Sequence, residues 1–595
     1  MSFFDLKGLL SPLEAIKQLG KNPHTFKQEQ LGKETADRYR GLHHNDLDAC
    51  IGCGNCSTIC QNEAIDMISL EGIDGKKGDS GLRPRIDNGR CCWCALCVEV
   101  CPTGSLNLTK DYIFISDKEE DFLWVPGVDN PEGKDNLSFT SDTTTSLSMY
   151  NRVPMREMDG MERVKSFAEV VLGYSEEEAR AEAQRCISCG LCTEVCPDHM
   201  HIPEYINAIA TGNDDDALKI IYDNNPLPET CGKVCTRQCE TVCALEVRGE
   251  AVAIRWLKRY ATEIAPTAEK IKEIVNPEIR EANGKKVGIV GAGPSGMTAG
   301  YYLALRGYDV TIYEAQAKSG GMTMYGIPKY RLPLEGIDRQ AEYMEMIGVK
   351  FKYNTKVGKD ISFEEIYNES DAVFVGIGFQ KAWDIGIENE DAKGVISAVD
   401  YLNIINRGDD YDVKKKVVVI GGGNVAIDGA RVSKRYTDDV TILYRRRVED
   451  MPADWEEIEG AEDEGIDIIP QAIPTKIIKD ESGKVTGIEY LMAEMKAEGG
   501  GRPRPIPIEG SEAVMEVDTV IGAIGQTADY SWMPEEYLNK LEVDRNRIVV
   551  NDLRQTSIDK IFAGGDSVNS TADAISAIAD GYMAVRGIDK LLGLK

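Results

Sequence analysis

The spacing of the cysteines constrains this chain more than any other feature of its sequence. All 17 cysteines precede residue 244, and sixteen of them form four groups of four. Three groups have the spacing C-x2-C-x2-C-x3-C, which is typical of the ligands of 4Fe–4S clusters. This part of the chain is therefore predicted to fold around iron–sulfur clusters, which carry single electrons.

The first two groups are predicted to share two clusters. In the bacterial two-cluster pattern, the fourth cysteine of each run binds the cluster of the other run. One cluster is then assigned to Cys50, Cys53, Cys56 and Cys101, and the other to Cys91, Cys94, Cys97 and Cys60. Residues 46–115 are expected to form this ferredoxin-like α+β domain, between an N-terminal helical segment at 1–45 and a polar linker at 116–151.

Eight further cysteines lie in a region, 152–283, whose amphipathic pattern predicts helices. They are Cys186, Cys189, Cys192, Cys196, Cys231, Cys235, Cys239 and Cys243. A zinc site is the alternative to iron–sulfur clusters, because C-x2-C pairs also occur in zinc ribbons. A tight run of four cysteines favours clusters over zinc. The remaining cysteine, Cys92, is predicted to be a buried thiol without a ligand role.

The sequence around these eight cysteines resembles the glutamate synthase small-subunit family. The similar segments are EAQRCISCGLCTEVCP, HIPEYINAIATG, NNPLPETCGKVC and AVAIRWLKRYA. The family includes the large subunit of NADH-dependent reduced ferredoxin:NADP+ oxidoreductases and the N-terminal part of dihydropyrimidine dehydrogenase. The resemblance implies an α-helical domain with two 4Fe–4S clusters, one bound by Cys186, Cys189, Cys192 and Cys243, and the other by Cys196, Cys235 and Cys239 with a fourth ligand.

The fourth ligand of that second cluster departs from the family pattern. Several members use a Glu or Gln in the following helix, and motif matching puts Lys258 at this position. An ammonium group cannot bind iron, so Cys231 is expected to complete an all-cysteine site.

Near residue 284 the pattern changes to strand, glycine turn and helix, and this unit occurs twice, which predicts two Rossmann-like α/β domains. The first turn contains Gly291, Gly293 and Gly296, and the next predicted strand ends at Glu314. Glycines at these positions let a pyrophosphate approach the N-terminus of the helix, and the acid can bind ribose hydroxyls. The first turn is therefore predicted to bind an adenine dinucleotide.

The second turn contains Gly421, Gly423 and Ala426. The position equivalent to Glu314 is Tyr444, and Arg445, Arg446 and Arg447 follow it. Without a carboxylate for the 2′-hydroxyl, and with guanidinium groups that suit a 2′-phosphate, the site is predicted to prefer NADP(H). A solvated basic edge is the alternative interpretation of the arginines. The predicted NADP(H) residues are Gly421, Gly423, Asn424, Val425, Arg445 and Arg446.

The first turn is then assigned to FAD. Gly564, Gly565 and Asp566 resemble the C-terminal FAD motif of flavoproteins with two dinucleotide-binding domains. The resemblance implies a helix, starting near Ala574, whose N-terminus points at the flavin. The FAD domain is predicted to be split, at 284–393 and 521–595, around an NADP(H) domain at 394–520. The predicted FAD-binding residues are Gly291, Gly293, Pro294, Ser295, Gly296, Glu314, Gly321, Met322, Arg331, Gly378, Gly565, Asp566 and Ala574.

These motifs predict a cytoplasmic NADP(H)-dependent oxidoreductase subunit. The net charge of −31 argues against nucleic acid or anionic membrane as a partner, and neither an apolar run long enough to span a bilayer nor an export signal occurs. No cysteine follows residue 243, so no redox-active disulfide accompanies the flavin, and electrons are expected to pass to four 4Fe–4S clusters. No catalytic acid or base is predicted, because hydride transfer to flavin needs none.

The partners are expected to be ferredoxin- or NADH-linked subunits, as in a transhydrogenase, and flavin-based bifurcation stays open. Two alternatives compete with this prediction. The chain could be a glutamate synthase small subunit, although an added ferredoxin domain is not expected there. It could also be an electron-relay subunit of a hydrogenase or formate dehydrogenase complex, although its intact nucleotide motifs argue against a pure relay.

Overall fold

A computed structural model describes residues 15–21, 35–112, 114–141, 147–409, 411–413, 415–496 and 503–594. The chain divides into two compact units, one of residues Met1–Ile73 with Gly81–Leu147, the other of Asp74–Ser80 with Ser148–Lys595. Within the predicted N-terminal helix, residues Ala15–Gln18 form a short 3-10 helix, and much of the segment lies outside the described residues.

The described residues of the N-terminal unit form two antiparallel sheets of three strands each. In hydrogen-bonded order, one sheet consists of His43–Asn45, Leu106–Thr109 and Leu137–Phe139, and the other of Ile65–Ser69, Leu82–Asp87 and Leu123–Trp124. One-turn helices, Asn55–Thr58 and Leu96–Glu99, lie within the two cysteine runs. Fully buried Ile86, Val98 and Leu108 belong to the core between these elements.

The segment expected to be a polar linker, 116–151, contributes to the N-terminal unit over part of its length. Its strands Leu123–Trp124 and Leu137–Phe139 extend the two sheets, with 3-10 turns at Glu119–Phe122 and Pro131–Asn136. Trp124 and Phe139 are buried. The expectation of a loop was wrong here because two isolated apolar anchors are enough to fix short edge strands, and an average composition does not reveal them.

The cysteine-containing part of the second unit is helical. Its helices are Gly160–Arg163, Glu176–Ala183, Leu191–Val195, Ile202–Ala210, Asp214–Asn224, Pro228–Val234, Ile254–Glu263 and Ala268–Val275, with 3-10 turns at Glu240–Val242 and Ala244–Val247. Ser175 and Glu178 form a capping box at the start of one helix. Gly232 lets two helices approach, because a Cβ there would lie 2.8 Å from the Cα of Arg259.

The first nucleotide fold has a parallel five-stranded sheet. Its strand order is Ile561–Ala563, Ala372–Val375, Lys286–Val290, Asp309–Tyr313 and Lys350–Lys352, so a strand from the end of the chain pairs with strands near residue 290. Its helices are Pro294–Leu305, Met322–Tyr325, Leu334–Met346, Phe363–Glu369, Glu535–Leu538 and Ala574–Leu592. A small hairpin joins Val543–Asp544 to Arg547–Ile548.

The second nucleotide fold repeats this arrangement. Its parallel sheet has the order Val395–Ser397, Thr519–Gly522, Lys416–Ile420, Asp439–Tyr444 and Asp467–Pro470, with helices Ala398–Arg407, Asn424–Lys434 and Trp455–Asp463 and a 3-10 turn at Val448–Asp450. An antiparallel sheet follows, formed by Ala472–Lys479, Val485–Lys496 and Arg504–Glu516. The paired strands Lys381–Ala382 and Gln526–Thr527 form the connection between the two folds.

Candidate functional site

The three C-x2-C-x2-C loops share one unusual backbone conformation. In each loop, the residues before and after the second cysteine have positive φ angles; they are Gly52 and Gly54, Trp93 and Ala95, and Ser188 and Gly190. Left-handed conformations are costly for Trp and Ala, so the surrounding structure must impose them. The same turn therefore recurs at all three sites although the residues that form it differ.

In the N-terminal unit, two thiols lie close enough to other predicted cluster cysteines for their charges to interact. Burial raises the pKa of the Cys97 thiol to about 12, and the nearby charges of Cys91, Cys94 and Cys60 add to the effect. Burial also raises the pKa of the Cys56 thiol, and the nearby charges of Cys53, Cys97, Cys50 and Cys101 add to the effect, so one neighbour, Cys97, comes from the other predicted set. A cluster of thiols that repel one another as thiolates is what a cationic iron–sulfur core would stabilise.

Backbone amides point at several of these sulfur atoms. The N–H of Ala64 donates to Cys60 Sγ at 3.3 Å, that of Trp93 to Cys91 Sγ at 3.3 Å, and that of Val252 to Cys243 Sγ at 3.4 Å. Hydrogen bonds to sulfur stabilise the thiolate form that binds metal. The cysteine loops therefore fit 4Fe–4S clusters.

Cys92 differs from the prediction of a buried thiol, because its residue is exposed. Cys94 in the same loop is also exposed, whereas Cys91 is half-buried, so this loop lies at the surface. His43, which the sequence analysis did not single out, is buried with its Nε2 3.7 Å from Cys97 Sγ.

In the helical part, several predicted cluster cysteines lie near one another. Burial raises the pKa of the Cys192 thiol, as do Cys189, Cys186 and Cys243. The second set surrounds Lys258, which is 4% exposed. Burial by itself would lower the pKa of Lys258, but it is raised by four nearby thiolates, those of Cys235, Cys231, Cys196 and Cys239. Cys231 thus lies among the predicted ligands, with a buried cation beside them.

In the first glycine turn, two glycines are required by close contacts within the protein, and the third leaves space for a ligand. A Cβ on Gly291 would lie 2.5 Å from the carbonyl oxygen of Gly376, and one on Gly296 would lie 2.1 Å from that of Gly291. Gly293 differs, because the nearest atom among the described residues would be 3.8 Å away. Open space at the middle glycine, at the start of helix Pro294–Leu305, is what a pyrophosphate requires.

Glu314 is fixed next to this turn. Its carboxylate accepts hydrogen bonds from the backbone N–H groups of Ala292 and Gln316, each at 2.8 Å. The residue is buried, and burial raises its pKa. It therefore lies at the end of its strand, at the position predicted for ribose binding.

Gly321, another predicted FAD residue, lies next to the same turn. Gly321 has φ of +54° and a Cβ there would lie 3.0 Å from the Cα of Gly293. Ser295 Oγ donates to the carbonyl oxygen of Gly564 at 3.5 Å, which joins the two parts of this fold. The last predicted members of the set are Pro294 at the first helical turn, Met322 at the start of its helix, and Gly378 with φ of +61°.

Asp580, which the sequence analysis missed, holds the C-terminal FAD motif in shape. Its carboxylate accepts from the Gly565 N–H at 2.8 Å, from Asn569 Nδ2 at 2.8 Å and from Arg554 Nε at 2.6 Å. The helix with Ala574 as its first residue is capped by Asp573, whose side chain accepts from the Ser576 N–H at 2.8 Å. Burial raises the pKa of Asp566 to about 6, with the charge of Asp573 adding to the effect.

The second glycine turn has the same division of roles. A Cβ on Gly421 would lie 2.3 Å from the carbonyl oxygen of Ala523, whereas at Gly423 the nearest atom in the described part of the chain would be 3.9 Å away. Asn424 begins the helix Asn424–Lys434, Val425 follows it, and Ala426 is fully buried. The turn is therefore open to a second dinucleotide.

The three arginines after Tyr444 have different surroundings. Arg445 is exposed. Arg446 Nε donates to the carbonyl oxygen of Pro503 at 3.0 Å, and Arg447 Nε donates to Asp450 Oδ2 at 2.8 Å. Arg445 is thus the exposed member of the three, while Arg447 has a carboxylate partner in the protein.

Arg331 was predicted to bind FAD, but its guanidinium has other partners. Its Nη1 binds both oxygens of Asp428 at 2.8 Å, and its Nε lies 2.8 Å from Glu457 Oε1. Both carboxylates belong to the second nucleotide fold. This pairing depends on how the two folds pack, which a local motif does not encode.

The geometry defines a class of protein. Loops that fit 4Fe–4S clusters come first along the chain, and two dinucleotide-binding turns follow. The first turn has a carboxylate suited to ribose, and the second has arginines nearby. Such a combination is an iron–sulfur flavoprotein that reacts with a pyridine nucleotide. Over the part of the chain that the structure describes, no helix has the length and apolar character needed to cross a bilayer.

Family models agree with this division of the chain. A 4Fe-4S dicluster domain matches residues 49–105, the dihydropyrimidine dehydrogenase domain II with its 4Fe-4S cluster matches 163–270, and the pyridine nucleotide-disulphide oxidoreductase family matches 285–581. These matches favour 4Fe–4S clusters over the zinc alternative at both cysteine regions.

Three curated proteins illustrate the relatives. The NADPH-Fe(3+) oxidoreductase subunit beta of Geobacter sulfurreducens is 38% identical over 465 residues, covering 73% of this chain and 68% of that protein. The glutamate synthase [NADPH] small chain of Escherichia coli is 33% identical over 477 residues, covering 74% of this chain and 98% of that protein. The NADP(+)-dependent formate dehydrogenase subunit beta of Moorella thermoacetica is 35% identical over 426 residues, covering 67% and 60%.

The chain belongs to the family of iron–sulfur flavoproteins that includes the glutamate synthase small chain. Its cofactors are FAD, NADP(H) and 4Fe–4S clusters, and it is an NADP-dependent oxidoreductase.

Proposed function

We propose that this chain is the NADP(H)-reactive subunit of a complex that exchanges electrons between NADP(H) and a ferredoxin- or NADH-linked partner. The observation that carries the proposal is the pair of open middle glycines, Gly293 and Gly423, in a chain whose sequence also contains four groups of four cysteines. When bound, FAD exchanges a hydride with NADP(H) and single electrons with 4Fe–4S clusters.

The residues of the chain position these groups and perform no proton transfer of their own. Gly423 and the N-terminus of helix Asn424–Lys434 would hold the pyrophosphate of NADP(H), and Arg445 would pair with its 2′-phosphate. Gly293 and Glu314 would hold the pyrophosphate and ribose of FAD. The helix that starts at Ala574 would stabilise negative charge on the reduced flavin through its positive N-terminal end.

Four cysteine sets support four clusters, two in the N-terminal unit and two in the helical part. The sets are Cys50, Cys53, Cys56 and Cys101; Cys91, Cys94, Cys97 and Cys60; Cys186, Cys189, Cys192 and Cys243; and Cys196, Cys231, Cys235 and Cys239. Anaerobically prepared protein should therefore contain about sixteen iron atoms per chain. About eight would contradict one pair of sites.

Steady-state reduction of a dye by the isolated chain tests the nucleotide assignment. NADPH should be oxidised with a much higher kcat/KM than NADH, because only NADPH carries the phosphate that Arg445 can bind. Equal use of the two nucleotides would refute the assignment.

The relatives also support a second candidate, the small subunit of a glutamate synthase. Nearly the whole Escherichia coli small chain aligns, but only with 74% of this chain, so part of this chain has no counterpart there. A third candidate, a subunit of a formate dehydrogenase, draws on the name of the Moorella relative. Anaerobic co-purification separates the three, because the bound partner would be a ferredoxin- or NADH-reactive subunit, a glutamate synthase large chain or a formate dehydrogenase catalytic chain.

A further inference from the structure

Arg237 connects a cluster loop to the NADP(H) fold. It lies between Cys235 and Cys239, which are predicted ligands of one cluster, and its own φ is +59°. Its guanidinium Nη2 binds both carboxylate oxygens of Asp454, at 2.8 and 2.9 Å, and its Nη1 binds Glu456. The arginine is 8% exposed, so these ion pairs are largely shielded from water.

Asp454 in turn belongs to a loop that lies against the second glycine turn. This cover loop comprises residues 451–454. The Asp454 N–H donates to Asn424 Oδ1 at 2.9 Å, and the Ala453 N–H donates to the Gly422 carbonyl oxygen at 3.2 Å. A Cβ on Gly423 would meet Pro452 Cγ at 3.9 Å, so the loop also borders the open space at the middle glycine.

Asp454 also caps the helix that carries the second partner of Arg237. The Glu456 N–H donates to Asp454 Oδ1 at 3.1 Å, at the start of helix Trp455–Asp463. Arg255, from the helical part, binds Glu456 Oε2 at 2.6 Å. Arg237 therefore binds the first turn of this helix and the end of the cover loop at the same time.

We propose that Arg237 is a positioning residue for NADP(H): it holds the cover loop against the glycine turn, in the shape that the nucleotide needs. The inference rests on the proposed NADP(H) site at Gly421–Asn424. If the loop is already ordered in the free protein, less conformational entropy is lost when the nucleotide binds, and the affinity is higher. Because Arg237 is flanked by two cluster cysteines, the cluster-binding part of the chain thereby contributes to nucleotide affinity.

Two single variants and their combination test the proposal in the FAD- and cluster-loaded protein. Arg237→Met removes the guanidinium and leaves Glu456 paired with Arg255, whereas Asp454→Asn removes the charge but keeps a good helix cap. Each should raise the Kd for NADP+, measured by calorimetry, about tenfold, the equivalent of ~1.4 kcal/mol. The Kd of the double variant for NADP+ should not exceed the higher of the two single-variant Kd values, because both changes remove the same contact.

Arg163→Met is the matched control. Arg163 is also a buried arginine of the helical part, and its Nη1 lies 3.8 Å from Asp463 at the opposite end of the same helix. This variant should bind NADP+ within about twofold of the unmodified chain. Arg237→Lys, which keeps the charge but cannot bind two carboxylates in the same way, should fall between the unmodified chain and Arg237→Met.

The kinetic signature distinguishes positioning from a general loss of structure. Arg237→Met should raise the KM for NADPH while kcat and the bound FAD content stay close to those of the unmodified chain. Unchanged NADP+ affinity in Arg237→Met, or a double variant whose loss is the product of the two single losses, would overturn the inference. If the unmodified chain itself failed to bind NADP+, the proposed function would fall instead.

Discussion

Single glycine-to-alanine substitutions should weaken binding at one nucleotide site without affecting the other. Gly293 and Gly423 both have extended backbone, with φ of −75° and −94°, which alanine adopts without strain. A Cβ at either position would meet the protein only at 3.8 Å or beyond, among the residues that the structure describes. The fold should therefore tolerate both changes, and any defect would come from the ligand.

The size of that defect follows from the position of the added methyl group. It would stand in the open space where the pyrophosphate approaches the backbone, and it would weaken at least one hydrogen bond from an N–H to a charged oxygen. Such a bond contributes about 1.5–3 kcal/mol, so the Kd should rise by about tenfold to a hundredfold. Gly293→Ala should lose FAD and retain NADP+ binding, and Gly423→Ala should show the reverse.

Gly429→Ala provides the control, measured by flavin content and by calorimetric titration with NADP+. It lies in the same helix as Asn424, and its Cβ would meet Ile521 at an ordinary 3.8 Å. This variant should bind both cofactors normally and gain up to about 1 kcal/mol of stability, because alanine is the better helix former. If Gly423→Ala lost FAD, or if Gly293→Ala abolished only NADP+ binding, the assignment of the two turns would be refuted.

Three further predictions concern charged groups. Arg445→Ala should raise the KM for NADPH about tenfold, because it removes one charge-assisted contact, and should leave the KM for NADH unchanged. Equal effects on the KM values of both nucleotides would contradict a 2′-phosphate contact. Lys258→Met should lower the midpoint potential of one cluster by about 60 mV, because a nearby cation favours the more negative reduced state; an EPR-monitored redox titration with all midpoints unchanged would disprove this. Burial raises the pKa of Asp566 to about 6, so its ionisation opposes folding as the pH rises from about 4 through 6. Asp566→Asn should accordingly raise the unfolding temperature of the FAD-free chain at pH 7 and change it little at pH 4, and equal shifts at both pH values would exclude this cause.

The features that could be predicted from the sequence are those defined by residues a few positions apart in the chain. The cysteine sets and the two glycine turns are local patterns, and their chemistry fixes both residue type and position, so they could be recognised without a fold. The exposure of Cys92 could not, because the pattern says which thiols bind a cluster and not which way the extra one points.

Long-range packing explains what the sequence did not predict. Arg331 finds Asp428 and Glu457 about a hundred positions away in the chain, and Asp580 reaches back to Gly565 from within a helix. Neither carries a local signal, since single charged residues are common on any surface. Arg237 is a similar case, because only the folded chain shows that this residue, between two predicted cluster cysteines, binds Asp454 in the loop beside the second glycine turn.

Freeze-quenched EPR after anaerobic mixing with NADPH tests most directly whether electrons pass from nucleotide to clusters within this chain. Signals of reduced 4Fe–4S clusters should appear in the FAD-loaded protein and stay absent in the FAD-depleted Gly293→Ala variant. Clusters that remain oxidised while NADPH bleaches the flavin, or that become reduced equally fast without FAD, would contradict the account.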